Sequence, residues 1–413
     1  MAEQERPLRV WCLAGDQKAH IEPVDRWFGN RAEFIYDTRA DPKFMLQYEP
    51  DIIVCVNDFP YDIMRCLDAA RKAVIPSLVL QDGILEWRCQ YENPTFGSGG
   101  GAPQHQPVIA DKIACLGPQS ARQIAAWGNV AKVEVTGMPR LDYLLDYNVP
   151  SIRRPGNRLL IMTAKKPGFT PAQLAITLQS LRDVKTFLDT RPDIEVVWRI
   201  TKNLFIELGV KNTLHELASQ ELSQILCQVD AVVTTISTGM LEAMLLDRPV
   251  AALDYHNVPR FVPTAWTISS ADHVKPVIME ILDPPANKMA FQRDCLYDCL
   301  TCDGPASPRV GELMLRMIAL AREARQAAKP LSLPPNMTGA GFLAGVRRNH
   351  YSLADLYPDQ TIFAETDLEA LQVRYARLSK EYERLKKQME TRRLGYWMAV
   401  AGRYLSRLLQ NRR

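Results

Sequence analysis

The residues best suited to chemistry lie past the middle of the chain, in Ala231-Val232-Val233-Thr234-Thr235-Ile236-Ser237-Thr238-Gly239-Met240-Leu241-Glu242-Ala243. A β-branched run reads as a strand, and it passes through two hydroxyl residues and a glycine into a helix. Ser237, Thr238 and Gly239 offer hydroxyls and backbone N–H groups at a helix start, where the dipole also favours negative charge. Such a turn is a ready anion site. Glu242, one turn on, is placed to accept from ribose hydroxyls. A plain Ser/Thr N-cap followed by a surface Glu is the other reading of the same residues.

The elements that must position this turn repeat along the chain. Leu8–Leu13, Glu33–Tyr36, Asp51–Val56, Ile75–Leu80, Lys112–Leu116 and Lys132–Val135 read as strands, bounded by Gly, Pro, Asp or Asn. Helical patterns such as Tyr61–Lys72 and Pro118–Trp127 lie between them. After a Pro- and Arg-bearing linker the alternation restarts with strands at Leu159–Thr163, Glu195–Ile200, Ala231–Thr235 and Pro249–Leu253. Helices are expected at Pro171–Leu188, Leu214–Gln228, Gly239–Leu246 and Asp272–Leu282. Strand and helix in alternation predict parallel sheets covered on both faces. The fold class is therefore α/β, with two doubly wound Rossmann-like domains facing a cleft. The expected boundaries are 1–147 for the first domain, 148–157 for the linker and 158–328 for the second domain.

A long interruption separates Gly83 from Asp111 and carries Phe96-Gly97-Ser98-Gly99-Gly100-Gly101-Ala102-Pro103. A loop of this length is a lid over a site or a surface insertion. Residues 329–366 form a Pro/Gly connector. In 367–391, Leu368, Leu371, Tyr375, Leu378, Tyr382, Leu385 and Met389 follow heptad spacing, which fits a coiled coil and homo-oligomer or a helix docked on the body. In 392–413, Trp397, Val400, Ala401, Tyr404, Leu405 and Leu408 share a helical face flanked by Arg392, Arg393, Arg403, Arg407, Arg412 and Arg413. That basic amphipathic helix suits an anionic membrane surface, a partner, or solvent.

Of the 413 residues, 47% are hydrophobic, 23% charged and 8% aromatic, which excludes wholesale disorder. The net charge of +3 does not suggest a nucleic-acid partner. Its distribution is uneven: residues 371–413 hold twelve Lys and Arg against three Asp and Glu, a local +9 that leaves the rest at −6. Nine scattered cysteines read as reduced thiols in a cytoplasmic setting. The start, Met1 to Lys18, has no secretory pattern, and the longest apolar run of the tail, Leu394 to Gly402, is too short for about 30 Å of hydrocarbon.

With these residues in view, the sequence resembles nucleotide-sugar glycosyltransferases of the two-domain GT-B fold. The nearest likeness is to bacterial capsule and cell-surface polysaccharide transferases, including Kdo-, sialyl- and CDP-glycerol-transferase-like groups. The strand, Ser/Thr pair, Glu-Ala helix and Pro-Val strand of residues 231–251 carry it. Three further segments support it: Gly137-Met138-Pro139-Arg140-Leu141-Asp142, Asp303-Gly304-Pro305-Ala306-Ser307, and Leu80-Gln81-Asp82-Gly83. Together they span residues 8–326.

The resemblance implies that Asp82 is the catalytic base that deprotonates an acceptor hydroxyl, or the nucleophile if configuration is retained. A turn Asp before Gly needs no such role, and Glu86 is the alternative carboxylate. The resemblance also implies donor binding by Ser237, Thr238, Gly239 and Glu242. Val197-Trp198-Arg199-Ile200-Thr201-Lys202 departs from the related groups, which have His-Pro here. Arg199, Lys202 and Lys165, with its neighbour Lys166, are the cations available to a leaving phosphate, or are solvated strand-end charges.

Other residues read as quiet. Cys295, Cys299 and Cys302 lack a fourth ligand and fit small buried hydrophobes. His105, in the glycine-rich loop, is a weaker candidate for approaching an acceptor, and the six histidines form no paired motif. With no Asp-x-Asp pair and no Gly-Lys-Ser/Thr loop, neither a metal nor a cofactor is expected. Gly15-Asp16 lacks the dinucleotide fingerprint. The expected activity is sugar transfer from a nucleotide-sugar donor to a surface glycan or lipid-linked acceptor. It would take place in the cytoplasm, peripherally on the inner face of the membrane. Alternatives are a UDP-sugar 2-epimerase-like enzyme of the same fold and a non-catalytic scaffold at the membrane.

Overall fold

The Val- and Ile-rich runs become two parallel sheets. The computed structural model describes residues 6–94, 103–146 and 157–341, with 375–387, 390 and 395 of the tail. The first sheet contains β1 (Leu8–Leu13), β2 (Ala32–Tyr36), β3 (Ile52–Cys55), β4 (Ser77–Leu80), β5 (Lys112–Cys115) and β6 (Val133–Val135) in the order β2-β1-β3-β4-β5-β6. The second contains β7 (Asn157–Met162), β8 (Ile194–Arg199), β9 (Ala231–Thr234), β10 (Val250–Leu253) and β11 (Trp266–Ile268) in the order β11-β10-β9-β7-β8. Every pairing is parallel. The strands β3, β4, β5, β9 and β10 are buried along their whole length, as strands covered on both faces must be.

In each sheet the first strand has the second on one side and the third on the other. That reversal opens a crevice at the carboxyl ends, between β1 and β3 and between β7 and β9. The turn after β9 and the segment after β4 therefore leave their sheets on the ligand-binding side.

Two expectations are corrected. The single helix expected over Leu214–Gln228 is two short ones, His215–Ala218 and Leu222–Leu226. The chain ahead of them is held to the exposed edge of β8, where Asn212 Oδ1 and Thr213 Oγ1 accept the Trp198 and Val196 N–H groups. Strand β11 was not expected, because Trp266-Thr267-Ile268 has no Val-rich run such as marks the equally short β6. The long interruption after Gly83 is also mostly packed: Leu85, Arg88, Gln90, His105, Val108 and Ala110 are buried. Its glycine-rich centre, 95–102, lies outside the described residues.

The chain crosses between the halves twice. The first passage, at 147–156, lies outside the described residues, but Met138, Leu141 and Leu144 just before it pack into the second sheet's core with Met240, Leu241, Leu296 and Leu300. On the return, the helix Ala306–Gln326 packs Val310, Leu313, Met314 and Met317 on the first sheet. The residues ahead of the first passage meet the start of the return helix. Asp142 Oδ1 and Oδ2 accept the Ala306 and Ser307 N–H groups at 2.6 and 2.8 Å, capping that helix, and Asp142 Oδ2 also accepts the Ser307 hydroxyl. Gly137, at φ +87°, leaves no room for a Cβ, which would lie 2.5 Å from the Thr301 carbonyl oxygen. The segments resembling Gly-x-Pro-Arg-x-Asp and Asp-Gly-x-Ala-Ser thus form one joint.

A fully buried ion pair clamps the chain beyond that helix. Lys112 Nζ donates to Glu134 Oε1 at 2.7 Å and to the Pro334 carbonyl at 2.6 Å. Glu134 in turn accepts the Met337 and Thr338 N–H groups.

The tail forms a unit of its own from residue 349. Tyr375, Leu378, Tyr382 and Leu385 lie on its described helix and are exposed. Leu368, Leu371, Met389, the basic helix proposed for 392–413 and most of the connector 329–366 lie outside the described residues.

Candidate active site between the two sheets

Asp82 follows β4 directly. Its turn is fixed by Gln81, whose buried amide donates to the Gly83 carbonyl at 2.8 Å and accepts the Leu116 N–H at 3.1 Å. The carboxylate has two partners from the exit of β1. Gln17 Nε2 donates to Oδ2 at 2.7 Å, and His20 Nε2 lies 3.0 Å from Oδ1. Asn57, at the end of β3, fixes Gln17 in turn by donating to its Oε1 at 2.6 Å. Three adjacent strands thus converge on one carboxylate.

The Asp82 side chain is 46% exposed against 12% for His20, so the carboxylate faces the cleft and the imidazole stands behind it. Burial raises the Asp82 pKa, but hydrogen bonds from His20 and Gln17, with the positive fields of His20 and Arg140, outweigh it and hold the carboxyl below its usual range. Asp82 is therefore ionised throughout the neutral range.

Gly83 brings this group against the second sheet. A Cβ on Gly83 would lie 2.4 Å from Thr238 Oγ1, and that hydroxyl accepts the Ile84 N–H at 3.2 Å. Thr238 starts the helix Gly239–Leu245, which rests over the end of β7: a Cβ on Gly239 would lie 3.0 Å from Met162 Cε. Ser237 is half-buried in the same turn. Glu242, one turn on and buried, pairs with Arg140 Nη1 at 3.2 Å. The structure so brings together Asp82, Ser237, Thr238, Gly239 and Glu242. The Thr238 hydroxyl serves contact between the halves, and Glu242 is partnered by a cation.

Arg199 and Lys202 are not part of this cluster. They are exposed at the end of the edge strand β8, separated from β9 by β7, and Arg199 Nη1 donates to the Gln220 carbonyl. Lys165 is exposed after β7. Glu86 is engaged elsewhere, accepting from Arg88 Nε at 2.6 Å and the Cys89 N–H at 2.7 Å. Buried Arg88 also reaches the Pro167 carbonyl of the second half at 3.3 Å. Burial, with the nearby charge of Arg88, pushes the His256 imidazole down to about 4. Phe261 completes the contact against Trp87 and Trp127.

His105 is buried, with Nδ1 3.9 Å from Asp58 Oδ1. Burial lowers its pKa, against the raising fields of Asp58 and Asp82. Cys299 is buried in an apolar cluster with Cys302 packed against it, Cys295 is buried beside them in sequence, and burial pushes the Cys295 thiol up to about 11. Among the described residues no cluster of His, Cys, Asp or Glu could hold a metal ion, and no helix is long and apolar enough to cross a membrane.

Sequence reasoning missed His20, Gln17 and Asn57. The available signal was their place just after β1 and β3, at the carboxyl edge where the reversal opens. It also left Arg140 inside a motif without a task.

No protein-family model and no curated protein matches the sequence. Solved structures do match. The S. aureus MnaA–UDP co-structure superposes with a TM-score of 0.51 at 13% identity, covering 80% of this chain and 100% of that one. The fold is GT-B. A putative UDP-N-acetylglucosamine 2-epimerase from Listeria monocytogenes gives 0.51 at 14% identity, over 80% of this chain and 99% of its own. UDP-GlcNAc 2-epimerase from Neisseria meningitidis bound to UDP-GlcNAc gives 0.50 at 14%, over 75% and 100%. At these identities the likeness is one of fold. In GT-B terms, the Asp82 network belongs to the first half and the Ser237–Glu242 turn to the second.

Proposed function

We propose that the protein is an enzyme acting on a nucleotide-sugar, and that it transfers the sugar to an acceptor hydroxyl. The observation that carries the reading is the Asp82 carboxylate, fixed by His20 and Gln17 and followed at once by Gly83, the residue that meets Thr238 of the second half. Asp82 takes the acceptor proton as the hydroxyl attacks the anomeric carbon. Ser237 and the start of the Gly239–Leu245 helix face the donor phosphate, and Glu242 accepts from the ribose. Contact between the halves at Gly83 and Thr238 excludes water from the reacting centre. The basic amphipathic pattern of 392–413 would hold the enzyme near lipid-linked glycan acceptors on an anionic leaflet.

A second reading is favoured by the comparisons: two of the similar structures are described as UDP-GlcNAc 2-epimerases and a third as a UDP complex. An epimerase needs no acceptor. One experiment separates the two. The protein is first screened by thermal shift against UDP, CDP, CMP and GDP sugars, since a ligand at a hundred times its Kd adds about 2.7 kcal/mol. The stabilising donor is then incubated with and without glycan acceptors in deuterated water. Product that requires acceptor supports transfer; epimer formed without acceptor, with deuterium on the sugar, overturns transfer in favour of epimerisation. No stabilisation by any nucleotide-sugar removes both. Deleting 392–413 should release the protein from anionic liposomes, and retained binding would remove the membrane role.

A further inference from the structure

The cations expected to meet the leaving phosphate lie away from the cleft cluster, so a different group must do so if the cleft takes a nucleotide-sugar. Arg140 is the group in place. Its Nη1 donates to Glu242 Oε1 at 3.2 Å, and its positive field reaches Asp82. Its Nε–H is buried and has no hydrogen-bond partner among the described residues. Arg140 thus pairs with the Glu242 carboxylate of the opposite half and keeps one buried donor uncommitted.

A nucleotide-sugar is a linear sequence of base, ribose, phosphate and sugar. If the ribose is taken by Glu242 and the anomeric carbon is presented to Asp82, the phosphate lies between those points. We propose that Arg140 is the phosphate-binding residue of the cleft, donating from Nε and its fork to the phosphate that leaves with the nucleotide. This rests on the nucleotide-sugar reading above and names the group that discharges the leaving anion. A guanidinium suits it, since a planar fork addresses two phosphate oxygens at once and stays charged at any working pH. The cation is also needed for charge balance. Asp82 and Glu242 would otherwise present two negative charges to an anionic donor, and like charges repel strongly where water is excluded.

The position of Arg140 supports the role. It lies in the segment that packs with the second sheet's core, and Asp142 two residues on is fixed to the return helix. Its backbone is therefore held by both halves.

The test compares UDP, CDP and GDP with their nucleosides on the full chain, by calorimetry for the diphosphates and saturation-transfer NMR for the nucleosides. For the diphosphate that wild type prefers, Arg140→Met should bind at least tenfold more weakly while its nucleoside affinity stays within about twofold. Arg140→Lys should be intermediate, keeping charge without the fork. Glu242→Gln weakens the same ion pair but keeps the guanidinium, so it should lower nucleoside and diphosphate affinity together. Unchanged diphosphate binding in Arg140→Met overturns the proposal. So does an equal loss for diphosphate and nucleoside, which assigns Arg140 a structural role. If wild type binds none of the diphosphates, the nucleotide-sugar reading fails and the Arg140 assignment falls with it.

Discussion

A carboxylate that must accept a proton is a weaker base the more its anion is stabilised, and His20 and Gln17 both stabilise Asp82. Their benefit is orientation and a constant charge state; the driving force for proton transfer is reduced. Replacing Asp82 with Asn keeps the shape and removes the base. Turnover should fall by about 10²–10⁴-fold, while circular dichroism and nucleotide-induced thermal shift remain those of wild type; retained turnover would remove Asp82 from the mechanism. The pH dependence follows from the direction of the shift. With the folded pKa depressed, ionised Asp82 persists as pH falls below the ordinary carboxylate range. His20→Gln removes the strongest influence holding the pKa down and leaves burial, which raises it, opposed only by Gln17 and the field of Arg140. The acid limb of kcat/KM should therefore move to higher pH in His20→Gln, and an unmoved limb would separate His20 from the titration of Asp82.

The loop that carries Asp82 works only if the two halves approach to van der Waals distance, and Gly83 makes that approach. Gly83→Ala places a methyl 2.4 Å from Thr238 Oγ1, so Thr238 must rotate and give up the Ile84 N–H. The substitution should weaken donor binding by about 1–3 kcal/mol. Thr238→Ala in the same chain should recover part of that loss, read as a coupling in a double-mutant cycle; additive effects would mean that the two residues do not meet in the working state. Which elements exist was legible in the sequence wherever a run had length. Val- and Ile-rich segments marked ten of the eleven strands, and Tyr61–Lys72 and Pro171–Leu188 match their helices end to end. The three-residue β11, Trp266-Thr267-Ile268, lacked the Val-rich run that marked the equally short β6, and the Leu214–Gln228 pattern broke at Ser219–Glu221 between two short helices. The site divides in the same way. Ser237 to Glu242 are contiguous and could be read, whereas His20 meets Asp82 from 62 residues upstream only because β1, β3 and β4 are neighbours. Arg140 meets Glu242 across 102 residues.

At the scale of the whole body, the chain beyond the return helix is part of the first half. Lys112 and Glu134 are both fully buried, and each is committed to the backbone of 334–338 as well as to its partner. Lys112→Met leaves a buried carboxylate uncompensated. It should cost about 3–5 kcal/mol in denaturant unfolding and open 334–341 to protease, and a variant as stable and as resistant as wild type would show that the clamp is dispensable. The joint at Asp142 and Ser307 has a consequence for how substrate enters. Each half keeps a piece of the other: Met138, Leu141 and Leu144 sit in the second core, and Val310 to Met317 in the first. The residue that ties the joint, Asp142, lies just before the first passage and holds the start of the return helix, so the joint is placed to serve as a pivot. A swing about it would keep both exchanged pieces in place, whereas sliding would pull them from their cores. The contacts of Gly83 with Thr238, Arg88 with Pro167 and Glu92 with Gln173 lie outside that joint, and they are the ones a swing about it would open. Under the proposed function, a nucleotide-sugar and the nucleotide it leaves would pass through one mouth, the side of the cleft that those contacts line.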